Sequence, residues 1–284
     1  MLDIVSRERE DKLQSLAALI GNTPLIRILA RCEGQNDTVY AKAVTIFMPD
    51  WVSVERRALL AVYGADVRLV SSDDGGFLGC MTAAEHCAQQ GAYLPRQFSN
   101  PVNADEHAEG TGPELWQQVA AGGFVAGVGT GGTVMGIGRY LKGRDPSITV
   151  HPVEPIESPT LSVGHKCGQH RVQGLSDEFI PAILNLAELD GVIGVHDGDA
   201  IMMAQQLIRQ LGLGVGISSG INLVAAIRLA LQQPRAADGS RKAVATIFAD
   251  SNSKYLSTDL ARTEPCCGDY WTPGIDLLDM RIIR

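Results

Sequence analysis

The stretch Phe124–Tyr140, FVAGVGTGGTVMGIGRY, constrains this chain more than any other. Phe124, Val125, Ala126 and Val128 suit a short buried strand, and Val134 to Tyr140 suits a helix that packs back onto the sheet. The spacing therefore predicts a strand-to-helix turn over Gly127 to Thr133. Such a turn can take an anion: glycines let the backbone approach it, the first helical N–H groups point outward, and the helix dipole adds partial positive charge. Thr130 and Thr133 add hydroxyl donors. A purely structural glycine turn with an ordinary N-cap is the alternative reading of this segment alone.

A chain of 284 residues, 45% hydrophobic and 20% charged, can bury the core of one large or two smaller α/β domains. The net charge of −8, with no run of Lys and Arg, argues against nucleic acid or an anionic membrane as the main partner. The segment MLDIVSREREDKLQ is charged and has no signal-like core, and no apolar run is long enough to span a bilayer. A soluble cytoplasmic protein is expected. The six cysteines, Cys32, Cys80, Cys87, Cys167, Cys266 and Cys267, include no C-x-x-C pair, so zinc and thioredoxin-like readings lack their spacing. Cys266 and Cys267 are either redox-active or ordinary surface-loop thiols.

In chain order, residues 1–19 read as a helical arm. Leu25 to Leu29 and Thr38 to Ala43 read as strands on either side of the polar loop EGQND. VTIFMPD from Val44 is a further strand, yet it follows VYAKA with no turn residues between. From Ser53, a helix ending at Gly64 and the strand ADVRLVS make a βαβ unit, which predicts a parallel pair. Helices are expected over Thr82–Gln90 and Thr111–Val119, the latter with Pro113 in its first turn. The opening strand and helix lead to ITVHPVEP as a second βαβ unit. A helix over Ala200–Gly212, a turn at Gly214 to Gly220, a helix over Ile221–Gln232 and the strand AVATIFAD complete an α/β chain.

Gly127, Gly129 and Gly132 also fit G-x-G-x-x-G, with Glu154 ending the next strand where a ribose-binding acid could sit. A dinucleotide fold would usually begin with that motif, whereas here more than a hundred residues precede it.

Combining the motifs gives a sharper reading. IGNTPL (Ile20 to Leu25), MPDWVSVERRALLAVYGA (Met48 to Ala65), QFSNP (Gln97 to Pro101), TGPELW (Thr111 to Trp116), GVGTGGT (Gly127 to Thr133), HRVQG (His170 to Gly174), GISSG (Gly216 to Gly220) and KYLST (Lys254 to Thr258) occur in one order. Together they resemble the cysteine synthase family, of O-acetylserine sulfhydrylase type, within the fold type II pyridoxal phosphate enzymes. The resemblance implies two three-layer α/β/α lobes, with 1–43 and 101–284 as the large cofactor-binding lobe and 44–100 as the remnant of a truncated small lobe. It implies pyridoxal phosphate-dependent β-replacement on an activated serine, a small-molecule amino-acid substrate and a homodimer. It places the cofactor phosphate against Gly129, Thr130, Gly131, Gly132 and Thr133. Ser218 then matches the residue on the pyridine nitrogen, where a neutral hydroxyl favours elimination over transamination. Gln97 and Gly174 match residues of the substrate pocket. Read without the resemblance, Ser218 is equally a helix N-cap, and Gln97 and Gly174 are loop residues.

The resemblance also locates a departure. In the family, the strand that looks like VYAKA continues to an S-x-K-D-R segment, whose lysine forms the Schiff base with the cofactor, and then to a T-S-G-N-T-G turn that grips the substrate carboxylate. Both are missing between Ala43 and Val44. None of the six lysines, Lys12, Lys42, Lys142, Lys166, Lys242 and Lys254, lies in S-x-K. Lys42 matches the earlier lysine of its strand, so no catalytic residue is assigned and covalent attachment of the cofactor is not expected. A cysteine synthase-like enzyme without its lysine therefore stands beside a non-catalytic homologue, or a truncated isoform, that binds phosphate, cofactor or a protein partner. The remnant of the small lobe is expected to repack, lean on a partner chain or stay partly disordered.

Overall fold

A computed structural model of the chain describes residues 26–32, 35–41, 44–175, 178–235, 237–278 and 280–281. The expected helical arm, the IGNTPL motif, Lys42 and Ala43 lie outside them. The described residues divide into two compact units, one running up to Asp50 and including Leu59–Pro95, the other containing Trp51–Ala58 and the chain from Arg96 onward.

In the first unit, β1 (Ile26–Cys32) pairs antiparallel with β2 (Gln35–Ala41), in a register that sets Ile26 opposite Ala41 and Cys32 opposite Gln35. Most of the expected EGQND loop is thus strand. β3 (Thr45–Pro49) pairs in parallel with β4 (Asp66–Val70), as the βαβ pattern requires, and α1 (Val54–Val62) connects them. The next helix, α2 (Gly76–Gln89), begins six residues before the expected Thr82. Its start is set by Gly75, whose φ of 91° lies in the left-handed region that favours glycine.

In the second unit, four parallel strands lie in the order β7, β6, β5, β8: β5 (Ala121–Gly127), β6 (Thr149–Pro155), β7 (Ile193–Val195) and β8 (Ala243–Thr246). Every residue of β5 from Ala121 to Ala126 is buried, as a strand covered on both faces must be. Alternate side chains feed two cores. Val125, Val153 and Val195 join Ile201, Met203 and Leu207 of α7 (Asp197–Leu211) and Ile217, Ile221 and Val224 of α8 (Ile217–Gln232). Phe124, Ala126 and Val150 join Val134, Met135, Ile137 and Leu141 of α5 (Gly132–Arg144) on the other face. Helices on both faces of a parallel sheet make this unit a three-layer α/β/α body.

Three boundaries differ from expectation. GISSG is not a turn before a helix: Gly216 is the N-cap and Ile217 to Gly220 are already α8. Gly216 is required because a Cβ there would lie 2.1 Å from Asp250 Oδ1. α7 starts at Asp197 rather than Ala200, with Asp197 and Asp199 complementing the dipole at its first turn. β8 stops at Thr246 rather than near Ser251, because the side chain of Asn222 takes the Ile247 carbonyl at 2.8 Å.

Candidate functional site

The site grows from the end of β5. Asn222 Oδ1 accepts the Gly127 N–H at 2.7 Å, and Val128 N–H donates to Val153 at 3.2 Å. These bonds hold the strand end, and the chain then turns through Gly129 to Thr133 into α5. Three glycines are dictated by the surroundings. A Cβ at Gly129 would lie 2.4 Å from the Gly174 carbonyl oxygen, and one at Gly132 2.0 Å from Asn103 Oδ1. Gly131, the N-cap, has φ 85°.

No acidic side chain occupies the first turn of α5, so nothing on the helix itself offsets its dipole there. Among the described residues, the backbone N–H groups of Thr130, Gly131 and Thr133 have no hydrogen-bond acceptor. Unpaired donors at the start of a helix, on a backbone stripped of Cβ atoms, form a receptacle for an anion.

Two threonine hydroxyls shape the turn. Thr130 Oγ1 accepts from Asn103 Nδ2 at 2.9 Å and from the Gly132 N–H at 3.3 Å, which leaves its own proton to donate. Thr133 Oγ1 lies 3.1 Å from His107 Nε2, whose other ring nitrogen lies 3.1 Å from Thr111 Oγ1. Burial holds the His107 pKa below its usual value, which favours the neutral ring. Asn103 and His107 lie four residues apart on α3 (Val102–Glu106) and the π-helical turn His107–Thr111, before α4 (Gly112–Gln118). Neither residue was singled out by the motifs. Their i, i+4 spacing was the only local signal that both face one partner.

Most of the residues named from sequence are brought together. Gln97 joins through its backbone: its carbonyl accepts from the same Asn103 Nδ2 at 2.9 Å. Gly174, with φ 90°, presses its carbonyl against Gly129. Ser218 has no bond to the turn, but it is half-buried in the first turn of α8, four residues before the Asn222 that holds Gly127, and so on the same helix face. Its neighbour Ser219 is fully buried with no partner for Oγ, and Asp250 Oδ1, against Gly216, is also unpartnered.

The surrounding shell is polar and tied. Tyr255, its hydroxyl pKa raised by burial, donates to Asp250 Oδ2 at 2.8 Å and accepts from Arg56 Nη2 at 3.1 Å, while Arg56 Nη1 donates to Gln173 at 3.2 Å. Arg171, in the same HRVQG segment, bridges Asp197, Asp259 and Glu264 at 2.7, 3.2 and 2.7 Å.

Glu154 does not wait for a ribose. Its carboxylate is 1% exposed and accepts from the Leu161 N–H at 2.7 Å, the Ser162 N–H at 3.3 Å and the Ser162 hydroxyl. The acid is consumed inside the protein, and the dinucleotide reading fails with it. None of the four described lysines serves the turn. Lys142 pairs with Asp190, Lys166 with Glu178, Lys242 with Asp145 and Lys254 with Asp250.

A parallel α/β body with an anion receptacle at a strand–glycine–helix turn is the architecture of a fold type II pyridoxal phosphate protein. Residues 38–250 match the family description "Pyridoxal-phosphate dependent enzyme", and the chain belongs to that family. It is 39% identical over 216 residues to a cysteine synthase of Staphylococcus aureus, covering 75% of this chain and 68% of that protein. It is 41% identical over 226 residues to a probable cysteine synthase of Bacillus subtilis, covering 77% and 70%. Among solved structures, a hydrogen sulfide-producing enzyme of Fusobacterium nucleatum superposes with a TM-score of 0.81 at 35% identity, over 97% of this chain and 99% of that one. Pyridoxal phosphate is the cofactor of this family. The glycine cradle and its unpaired N–H groups fit a phosphorylated group.

Proposed function

We propose that this chain is a cysteine synthase-type protein that binds pyridoxal phosphate through Gly129, Thr130, Gly131, Gly132 and Thr133, with Ser218 toward the ring nitrogen, and holds it without a covalent bond. The observation that carries the reading is the turn itself: backbone donors without acceptors, at a helix start where Gly129 and Gly132 leave no room for a Cβ. When bound, the cofactor supplies an electron sink for charge at the α-carbon of an amino acid. This chain's own groups orient it: the N–H groups and the free Thr130 proton bind the phosphate, Ser218 offers a neutral hydroxyl, and Gln97 and Gly174 border the space for the amino-acid substrate.

What the relatives' names say of them, cysteine synthesis, sets the reaction class inherited here, β-replacement on an activated serine. The lysine that the motif requires is absent from this sequence, and the four described lysines are paired elsewhere. A proton at the substrate α-carbon then has no amine to receive it, so turnover is expected at background. The segment 44–100 is read as what remains of the small lobe. The relatives' class carries with it a homodimer acting in the cytoplasm; among the described residues, no helix is long and apolar enough to cross a membrane.

The test is cofactor loading followed by borohydride and peptide mass analysis. Equilibrium binding that is lost in Gly129→Ala, with no reduced lysine adduct and no acetate release from O-acetylserine, is the expected result. A stoichiometric adduct at one lysine would overturn the non-covalent reading, and absence of any binding would overturn the site.

A further inference from the structure

We infer that the outer edge of β4 is a self-association surface, on which a second copy of this chain adds its own β4 in antiparallel register about a two-fold axis at Val67. The inference stands on the first unit alone and takes from the homodimer reading only the identity of the partner.

Its starting point is an open edge. β3 and β4 form a two-stranded sheet. The Asp66 N–H donates to the Val44 carbonyl and the Asp50 N–H to the Val70 carbonyl, with Arg68 in register between them. Backbone groups alternate sides along a strand, so the even residues of β4 face β3 and the odd ones, Val67 and Leu69, face outward. Among the described residues nothing accepts or donates there. An edge of this kind is a template for another strand, and a two-stranded sheet has little stability of its own.

Charge selects the occupant and the register. Asp66 and Arg68 stand on one face, more than half exposed, in an ion pair of 2.9 Å. Charged side chains on an edge strand ordinarily oppose pairing; here the two are of opposite sign, so one register turns them into cross-strand pairs. With the axis at Val67, the two Val67 residues exchange both backbone bonds, and Asp66 falls opposite Arg68 of the second copy. That is a non-hydrogen-bonded pair, in which side chains approach most closely. Symmetry supplies the pair twice. A register about Arg68 would set two guanidinium groups against each other. The outer edge of β3 is the poorer template, since Pro49, an outward residue there, has no N–H to give.

Apolar surface beside the edge supplies the rest. Val62 and Tyr63, at the end of α1 and two residues short of β4, are 81% and 74% exposed, and Leu69 is 46% exposed. α1 has no buried residue at all. A stable interface buries about 1,000 Å² or more in total; one pair of five-residue strands makes a small interface, so dimers are expected at micromolar rather than nanomolar chain concentration.

The experiment is sedimentation velocity of the full chain over a concentration series, with circular dichroism to confirm that each variant keeps its fold. Asp66→Arg alone and Arg68→Asp alone are each expected to weaken dimerisation roughly tenfold, by turning attraction into repulsion. The double swap Asp66→Arg with Arg68→Asp is expected to restore it, and Thr45→Lys on the β3 edge to leave it unchanged. A chain monomeric at all concentrations would overturn both this surface and the homodimer. A dimer indifferent to both single reversals, or one the double swap fails to restore, would overturn the surface and leave the homodimer standing.

Discussion

At the scale of single residues, the cradle is set by where a side chain is impossible. Gly129 faces a backbone carbonyl, that of Gly174, which cannot rotate aside as a side chain can. Gly129→Ala is therefore expected to lose phosphate and cofactor binding by more than tenfold and to lower the melting temperature. Gly143, in the same region of chain, has nothing within 4 Å of an added Cβ and lies inside α5. Gly143→Ala should stabilise by up to about 1 kcal/mol in urea unfolding and leave binding untouched. The pair separates a site effect from a general intolerance of substitution. Arg171 makes a second residue-scale case. Its carboxylate partners Asp197 and Glu264 are 6% and 4% exposed, while the guanidinium itself is 37% exposed. Removing it leaves two buried acids without their cation, a loss of about 3 kcal/mol once solvent screening is allowed for. Arg171→Lys should recover only part of this in denaturant titration, because an ammonium cannot bridge both carboxylates with parallel bonds.

At the scale of elements, legibility followed burial. β5, α5 and β6 were readable because apolar period and glycine punctuation agree over Phe124 to Pro155, and both parallel pairs followed from βαβ order. α3 and the π-helical turn were not. Val102 to Thr111 is polar with no apolar period, and its helicity is tied to Asn103 and His107 bonding across to the glycine turn. The GISSG segment misled because glycines and serines read as a turn, whereas Gly216 answers to Asp250 and the serines begin α8. His107 gives an element-scale prediction. Burial lowers its pKa in the folded chain, so protonation opposes the fold. Its contribution is complete above the unfolded histidine value of about 6.5 and is lost as pH falls through the lower folded value. Stability and phosphate binding should both decline below pH 6.5. In His107→Gln, which keeps a hydrogen-bonding group, that part of the decline should vanish; an unchanged profile would show that His107 does not couple to the turn.

At the scale of the whole molecule, the two units differ in how much apolar surface they bury. The second unit keeps its four-stranded parallel sheet and both cores. Among the described residues, the first has two separate two-stranded sheets, and the nine-residue helix α1, shared between the two units, has no fully buried residue and is too short to be helical on its own propensity. The family was legible because eight motifs occur in one order. No pattern in the sequence, however, showed that Val62, Tyr63 and Leu69 would be exposed. Ligand linkage makes the difference between the units measurable. Pyridoxal phosphate at a hundred times its dissociation constant should stabilise the site it binds by about 2.7 kcal/mol. In hydrogen exchange, that gain should appear in peptides carrying Gln97 to Arg144, Arg171 to Leu175 and Ile217 to Gln232, where the turn, Asn103, Gly174 and Ser218 lie. Peptides over Thr45 to Val70 should exchange fast with or without the ligand, because α1 and β4 have little burial to protect them. Protection that rose equally over β3, β4 and the glycine turn would place the bound phosphate somewhere other than the start of α5.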